Sequence, residues 1–283
     1  REKLLHGLEN LEYRGYDSAG IALWDEGKIE VIKAAGRLSN LRAACGDQCL
    51  ASHCGIGHTR WATHGVPNDV NAHPHRQGRV TLVHNGIIEN YRALRERLER
   101  EGYHFLTQTD TEIAAALLDH HMKLHESPVA AIHAATAEME GAYGFCMLLE
   151  GEPDTVYGIR RGSPLIAAKD ETGSYVASDV PAIIEYTRQY YLLEEEEVVV
   201  AHYGELRFYA PDGTPIEKKA KIANWSGEQA QKGGYPCFMQ KEIHEQPRAL
   251  ADTIDGRTKD GFVTFEGDGL PDGFFRDVTK LYI

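Results

Sequence analysis

The order of strand-like and helix-like segments constrains the fold of this chain more than any other feature. Apolar and β-branched runs predict a hairpin over residues 18–34, a short helix over 38–44 and further strands over 55–60 and 79–84. Helical spacing of apolar residues then predicts three helices, over 88–101, 110–124 and 128–139. Short apolar runs between Gly, Pro and Asp turns return from residue 142 to residue 209. Strands, helices and strands again predict an α+β domain, with helices packed outside stacked sheets.

Local signals predict where the central helices begin. Thr109 and Glu112 have the spacing of a capping box, in which each side chain bonds the other residue's amide. Ser127 precedes Pro128, a pairing typical of a helix start. Asn85-Gly86 is a common hairpin-turn signal, but a helical pattern follows at once. We therefore predict a strand-to-helix junction at Asn85-Gly86.

Charge and cysteine usage narrow the class of protein. The formal net charge is −13, which opposes nonspecific binding to a polyphosphate backbone, so no nucleic acid partner is expected. No apolar stretch approaches the roughly 20 residues of a membrane-spanning helix. The odd number of cysteines, five, favours reduced thiols and a cytoplasmic location. The first residues already follow a helical pattern, and we expect a segment to precede them.

Residues with reactive or metal-binding side chains are concentrated between 58 and 86. Five histidines fall within 27 positions there, and some of them belong to a long stretch that contains Pro and His. A metal site would need two or three of them to converge with a carboxylate. No pair has the i,i+4 spacing of a helix, and Pro74 between His73 and His75 suits a loop. Cys45, Cys49 and Cys54 are irregularly spaced. The sequence therefore predicts no metal.

Three further signals each have two interpretations. Asn85 and Gly86 form a simple turn, or they supply the donors that a developing oxyanion needs. Arg60 is a surface charge, or its guanidinium, at the end of an apolar strand, forms bidentate hydrogen bonds with a carboxylate. Asp110 favours the first turn of its helix through the dipole, or it holds a substrate ammonium. The residues alone leave these alternatives open.

Taken together, the motifs carry a specific resemblance along nearly the whole chain. The segments are LEYRGYDSAG at 11–20, HTRWATHG at 58–65, NAHPH at 71–75, VHNGIIEN at 83–90, TQTDTE at 107–112 and MQKEIHEQP at 239–247. In order and spacing they resemble the glutaminase domain, a class II glutamine amidotransferase, of the glutamine–fructose-6-phosphate aminotransferase (isomerizing) family. The resemblance implies an N-terminal-nucleophile (Ntn) hydrolase fold, a four-layer αββα sandwich. It implies no cofactor.

The resemblance also assigns roles to residues at matching positions. Asn85 and Gly86 match the oxyanion hole, Arg60 the clamp on the substrate α-carboxylate, and Asp110 the partner of its α-ammonium. Trp61 matches the residue that gates the ammonia route. The remaining matches, which line or support the pocket or lie near the nucleophile, are Thr63, His64, His73 and Arg14.

Two departures from the family pattern shape the expected function. The family's opening strand, which begins with the nucleophilic Cys, has no counterpart in the printed sequence, so we expect this chain to be inactive alone. We expect residues 1–220 to form the glutaminase domain without its first strand, and 221–283 to form a connector toward a sugar isomerase domain of the same polypeptide. The implied enzyme, a homodimer at full length, hydrolyses L-glutamine and passes ammonia on to make glucosamine 6-phosphate from fructose 6-phosphate. The alternative is a noncatalytic glutamine-binding regulatory module that has lost the nucleophile.

Overall fold

A computed structural model describes residues 1–46, 52–62, 65–223, 234–236, 238–259, 262–263, 270, 273–274 and 279–280. The chain divides into two compact units, 1–230 and 231–283. The helices of the first unit are α1 (Glu2–Glu9), α2 (Leu38–Cys45), α3 (Tyr91–Arg100), α4 (Asp110–Leu124) and α5 (Pro128–Ala137). Its strands are β1 (Ser18–Asp25), β2 (Lys28–Ala35), β3 (Gly55–Arg60), β4 (His75–Gln77), β5 (Val80–Ile88), β6 (Gly141–Leu149), β7 (Thr155–Arg161), β8 (Ile166–Asp170), β9 (Gly173–Ala177), β10 (Gln189–Leu192), β11 (Val198–His202), β12 (Glu205–Tyr209), β13 (Pro215–Ile216) and β14 (Lys221–Ile222).

These strands form three antiparallel sheets. The largest has seven strands in the order β13-β12-β11-β7-β6-β5-β4. A three-stranded sheet has the order β2-β1-β3, and a four-stranded sheet the order β14-β10-β8-β9. In the described part of the chain, β3 pairs with β1 alone and β9 pairs with β8 alone. Each of the two smaller sheets therefore has an edge strand whose outer side is open to a further strand.

Both smaller sheets pack face to face on the seven-stranded sheet. Ala22 and Ile56 of the three-stranded sheet share a buried cluster with Val83 and Leu148 of the large one. Ala167 of the four-stranded sheet shares a second cluster with Phe208. The β-strand period of two explains this arrangement, because alternate residues of one strand reach opposite faces. The two apolar faces together make the inner core.

Helices cover both outer faces of this sandwich. Apolar residues of α3, α4 and α5, such as Leu98, Leu117 and Ile132, pack on the outer face of β5 and β6. On the other side, Leu5 of α1 and Leu41 of α2 pack on the outward residues of β1. The layers therefore follow the order helix, sheet, sheet, helix, and the predicted four-layer αββα sandwich is confirmed.

Three local predictions are wrong in detail. β5 does not end before Asn85 but continues to Ile88, and α3 begins only at Tyr91. Asn85-Gly86 therefore lies inside the strand, opposite Gly144 and Tyr143 of β6. Gly86 has φ +134, and a Cβ there would lie 2.0 Å from the Ala142 carbonyl oxygen. Only glycine fits this backbone, so the motif marks a close strand approach rather than a turn.

The predicted caps of α4 and α5 are only partly correct. The Thr109 hydroxyl accepts a hydrogen bond from the Glu112 amide, as a capping box requires. The Glu112 carboxylate instead accepts from the amides of Leu106 and Thr107, because the chain before Thr109 folds back over it. Ser127 precedes α5 without a side-chain capping bond. The carboxylate of Glu112 thus braces the loop that leads into α4.

The second unit contains α6 (Phe238–Ile254) and a hairpin of β15 (Thr258–Lys259) and β16 (Phe262–Val263). Among the helices of the described residues, none is long and apolar enough to cross a membrane.

Candidate active site

The functional candidates gather where β3 of the three-stranded sheet faces the end of β5. Alternate residues of β3, namely Ile56, His58 and Arg60, point toward the seven-stranded sheet, as the shared cluster of Ile56 with Val83 shows. Arg60, Asn85, Gly86 and Asp110 line one cleft with a volume of about 1100 Å³. The same cleft extends to residues of β9. The packing of the two sheets, together with the contact of α4 with β5, therefore brings together residues that are 50 positions apart in sequence.

Arg60 provides a buried cation at the end of β3. Its side chain is nearly inaccessible, and Nη2 donates to the Gly65 carbonyl oxygen at 3.3 Å. Burial lowers the pKa of Arg60, while the carboxylates of Asp17 and Asp110 oppose that change. A guanidinium has a pKa far above neutral pH, so the side chain keeps its charge. The buried Arg60 is not the surface charge that one interpretation allowed.

Asp110 provides the matching anion at the first position of α4. Its carboxylate is buried, and Oδ2 accepts from the Ile88 amide at 2.8 Å. The same oxygen lies 3.9 Å from Nδ1 of His84. The N-terminus of the helix carries partial positive charge beside this side chain. Asp110 is therefore tied to the end of β5, the strand that carries Asn85 and Gly86.

Asn85 is oriented by His58 across the two sheets. His58 Nε2 lies 2.9 Å from Asn85 Oδ1. Burial lowers the pKa of His58 to about 4, so the ring is neutral near pH 7. A neutral ring with its proton on Nε2 donates to Oδ1 and turns the Asn85 NH2 group away from itself. Asn85 and Gly86 are also more exposed than residues 80–84 of the same strand, which are buried.

Three motif histidines, His58, His73 and His84, stack behind these residues. The rings of His58 and His73 stack at 4.3 Å. Burial also lowers the pKa of His73 well below its usual value. His73 Nδ1 accepts from the His84 amide at 3.3 Å, so its proton lies on Nε2 and points to the Thr111 hydroxyl at 3.2 Å. The Thr111 hydroxyl in turn lies 3.0 Å from His84 Nδ1, within hydrogen-bond distance.

These hydrogen bonds fix the tautomer of His73 and make the cluster a support for β5. His75 belongs to the same cluster, with Nε2 at 3.2 Å from the Thr109 hydroxyl. In the part of the chain that the structure describes, no group of three His, Cys, Asp or Glu side chains has the arrangement of a metal site. The absence of metal from the reaction stays a prediction.

The remaining predicted residues lie around the cleft or outside the described residues. Trp61 follows β3 and is 60% exposed, with its ring edge-on to Tyr16 at 5.6 Å. Arg14 lines the cleft and forms an ion pair with Asp179 at 3.5 Å. Thr63 and His64 lie outside the described residues.

The described cysteines are poor nucleophiles. Cys45, Cys54 and Cys146 are free thiols. Burial raises the pKa of Cys54 and of Cys146 to about 12, and it raises the pKa of Cys45 as well. A thiol attacks as its thiolate, so these side chains are almost entirely unreactive near pH 7. Cys54, although it lines the cleft, is not activated there.

Sequence reasoning missed two supporting residues. The Asp17 carboxylate accepts from the Ala62 amide at 2.6 Å and fixes the chain just after Arg60 and Trp61. His58 was counted in the histidine cluster, but its contact with Asn85 was not foreseen. The spacing of two between His58 and Arg60 indicates that both side chains lie on one face of a strand, so His58 shares the side of β3 that carries Arg60.

Comparison with known proteins shows which sequences and folds this chain is similar to. Residues 58–185 match a family model described as a glutamine amidotransferase domain. The chain is 43% identical over 283 residues to the glutamine–fructose-6-phosphate aminotransferase (isomerizing) of Clostridium acetobutylicum, covering 99% of this chain and 46% of that relative. It is 42% identical to the relative of the same name from Clostridium perfringens, with the same coverage. The chain thus spans about half the length of these relatives.

Among solved structures, the fold is similar to that of a glutamine phosphoribosylpyrophosphate amidotransferase from B. subtilis. The TM-score is 0.63 at 24% identity, covering 76% of this chain and 47% of that one. A structure titled as the allosteric regulatory enzyme of purine biosynthesis gives a TM-score of 0.62 at 25% identity, covering 74% of this chain and 46% of that one. The resemblance expected from the motifs and the Ntn-type fold are both confirmed.

Proposed function

We propose that this chain, which carries a glutamine amidotransferase domain and resembles glutamine–fructose-6-phosphate aminotransferases over nearly its whole length, hydrolyses the amide of L-glutamine to glutamate and ammonia. The observation that carries the proposal is the pairing of one buried cation, Arg60, with one buried anion, Asp110, in a single cleft. A free amino acid is a zwitterion and needs one fixed charge of each sign.

Arg60 binds the α-carboxylate and Asp110 binds the α-ammonium. A guanidinium matches a carboxylate through two parallel hydrogen bonds, which fixes orientation as well as position. Both side chains lose little solvation when the substrate arrives, because both are already buried. The clamp therefore selects a free α-amino acid and directs its side chain along the cleft.

Asn85 and Gly86 stabilise the transition state. Attack on the glutamine carboxamide places negative charge on its oxygen, and the Asn85 NH2 group and the Gly86 amide N–H are donors for that charge. Donors that are held in place before the reaction stabilise the transition state most, because they need no reorganisation as charge develops. The hydrogen bond from His58 to Asn85 Oδ1 supplies that preorganisation.

The nucleophile is a cysteine at the start of a further strand, as the resemblance to the family implies. The cleft lies between the outer edges of β3 and β9, and a strand laid there would pair with either edge. The cysteine's own α-amine, with an unperturbed pKa of ~7.7–8.0, takes the thiol proton. The thiolate forms a bond to the amide carbon, the C–N bond breaks, and the nitrogen leaves as ammonia after taking up that proton. Water then hydrolyses the γ-glutamyl thioester and regenerates the thiol.

The ammonia goes to a sugar isomerase domain of the same polypeptide, which converts fructose 6-phosphate to glucosamine 6-phosphate. Support for this step is the greater length of the relatives and their name. In this proposal residues 1–220 are the glutaminase domain and 221–283 lead toward the isomerase. Trp61 gates the ammonia route, and Thr63, His64, His73 and Arg14 line or support the glutamine site. The intact enzyme is a cytoplasmic homodimer that binds no nucleic acid.

The test uses the full-length protein with L-glutamine, and it measures glutamate and ammonia. We expect stoichiometric release of both, and formation of glucosamine 6-phosphate when fructose 6-phosphate is added. Glutamine binding by calorimetry without any turnover would refute the proposal and favour the noncatalytic regulatory module. Turnover of glutamine without amino-sugar formation would refute fructose 6-phosphate as the ammonia acceptor, while the proposed glutaminase activity would stand.

A further inference from the structure

Asn71 is a buried amide that joins the two loops next to the residues of the proposed glutamine clamp. Its side chain is 2% exposed. Nδ2 donates to the Val66 carbonyl oxygen at 3.0 Å and to Gln108 Oε1 at 3.3 Å. Oδ1 accepts from the Gln108 amide at 3.0 Å. One side chain therefore holds residues 66 and 108 together across 42 positions of sequence.

The orientation of this amide follows from its backbone partners. A backbone N–H can only donate, so the atom facing the Gln108 amide must be the oxygen. A backbone carbonyl can only accept, so the atom facing Val66 must be the nitrogen. The side chain thus uses its oxygen and its nitrogen on different segments, and a residue with only one kind of polar atom could not replace it.

Each loop held by Asn71 leads directly to one half of the clamp. On one side, Val66 follows Gly65, whose carbonyl oxygen accepts from the Arg60 guanidinium at 3.3 Å. On the other, Gln108 precedes Thr109, the N-cap of α4, and Asp110 is the first residue of that helix. The line of contacts therefore runs from the cation through Asn71 to the anion.

Gly65 shows how closely the two loops approach. It has φ +78, and a Cβ at this position would lie 2.9 Å from Asn71 Nδ2 and 3.0 Å from the Gln108 Cβ. A side chain there would push Asn71 away from the Val66 carbonyl. Glycine at position 65 thus allows Asn71 to contact both loops.

We infer that Asn71 is a positioning residue for glutamine: it sets the separation of Arg60 and Asp110 and so tunes substrate affinity. It does not touch the substrate. This inference rests on the proposed function, since it deepens the role of the same site. Arg60 and Asp110 bind the two charged groups of one α-amino acid, so a change in their separation weakens at least one of the two charged contacts with the substrate. Loss of Asn71 should therefore appear first as weaker glutamine binding.

Asn68 offers a matched control in the same loop. Its Oδ1 accepts from the Asn71 backbone amide at 2.7 Å, which is a bond within the loop. Asn68→Ala thus removes a side-chain hydrogen bond of the same kind without cutting the link to Gln108. A purely structural role for the loop would make the two alanine variants similar.

The test compares Asn71→Ala and Asn71→Asp with Asn68→Ala in the full-length protein. Asn71→Asp keeps the volume and the acceptor for the Gln108 amide, but it turns a carboxylate oxygen toward the Val66 carbonyl. We expect the glutamine KM to rise about tenfold or more in Asn71→Ala, and also to rise in Asn71→Asp, with kcat at saturation changed less than KM. Asn68→Ala should keep its KM within about twofold. Amide hydrogen exchange at Gln108 should accelerate in Asn71→Ala alone.

Glutamine binding by calorimetry is measured in parallel. If the unsubstituted protein binds glutamine but releases no ammonia, the proposed function fails, and the ratio of the Kd values of Asn71→Ala and the parent still decides the role of Asn71. An unchanged KM and Kd in Asn71→Ala, or an equal loss in Asn68→Ala, overturns the inference. If Asn71→Ala does not fold, as shown by thermal unfolding, Asn71→Asp carries the same test.

Discussion

Acidification should destabilise the fold through His58, because this ring is buried and neutral between the two sheets. Burial lowers the pKa of His58 to about 4, whereas an unfolded histidine has a pKa of about 6.5. Above pH 6.5 the ring is neutral in both states and the pH has no effect. Between pH 6.5 and pH 4 the unfolded chain takes up a proton that the folded chain does not. The free energy of unfolding therefore falls as the pH is lowered through this window.

The size of the effect follows from the difference between the two pKa values. One pKa unit corresponds to about 1.4 kcal/mol of differential protonation free energy. Lowering the pH from 7.5 to 5 should cost about 2 kcal/mol through His58 alone, and reaching pH 4 should cost about 3 kcal/mol. The loss is a large fraction of the roughly 5–15 kcal/mol by which a domain is stable.

The assay is urea unfolding of the 283-residue chain at pH 7.5 and pH 5, with His58→Gln and His53→Gln beside the parent. Gln at position 58 keeps a donor for Asn85 but cannot take up a proton. His53 is exposed just ahead of the same strand and serves as the control. The parent and His53→Gln should each lose about 2 kcal/mol more than His58→Gln. An equal loss in all three proteins would show that His58 is not the buried neutral group described here.

Three further predictions concern catalysis by the cysteine-bearing protein. Arg60→Ala should cost about 2–5 kcal/mol in kcat/KM for glutamine, because it leaves the substrate carboxylate unpaired; an unchanged KM and kcat/KM would remove Arg60 from the clamp. Asn85→Ala should lower kcat roughly 10²–10³-fold with little change in affinity; a lower melting temperature with full turnover per folded molecule would make Asn85 merely structural. Strong chelation should leave ammonia release intact, and loss of activity with recovery on adding zinc would restore a metal mechanism.

The elements of this fold are largely predictable from local pattern. The strand over 55–60 and the helix over 110–124 begin and end at the predicted residues. Period-two alternation and the cap at Thr109 are enough to place them, because both depend on neighbours in sequence. The predicted end of β5 was wrong because local propensity favours a turn at Asn85-Gly86. Pairing with β6 overrides that propensity and continues the strand.

The site was predictable as a set of residues but not as a geometry. The motifs identify Arg60, Asp110, Asn85 and Gly86, and the structure brings all four to one cleft. Their supports were not foreseen, because contacts such as His58 with Asn85 join different sheets. The spacing of two between His58 and Arg60 indicates a shared strand face, but it does not identify the partner on the other sheet. The same is true of Asn71 and Gln108. Each lies in a motif that is visible in the sequence, but the contact between them is not.

The central claim is that Arg60 and Asp110 bind glutamine, that Asn85 and Gly86 form the oxyanion hole, and that the attacking thiol comes from a further strand that begins with cysteine. The most direct measurement is ammonia release from glutamine by two proteins of verified mass: residues 1–283 alone, and the same residues preceded by a strand that begins with cysteine. We predict turnover in the longer protein and none in the shorter, since burial raises the pKa of Cys54 to about 12. Ammonia release by the shorter protein that disappears in Cys54→Ser would contradict the account, because the nucleophile would then lie within the described chain.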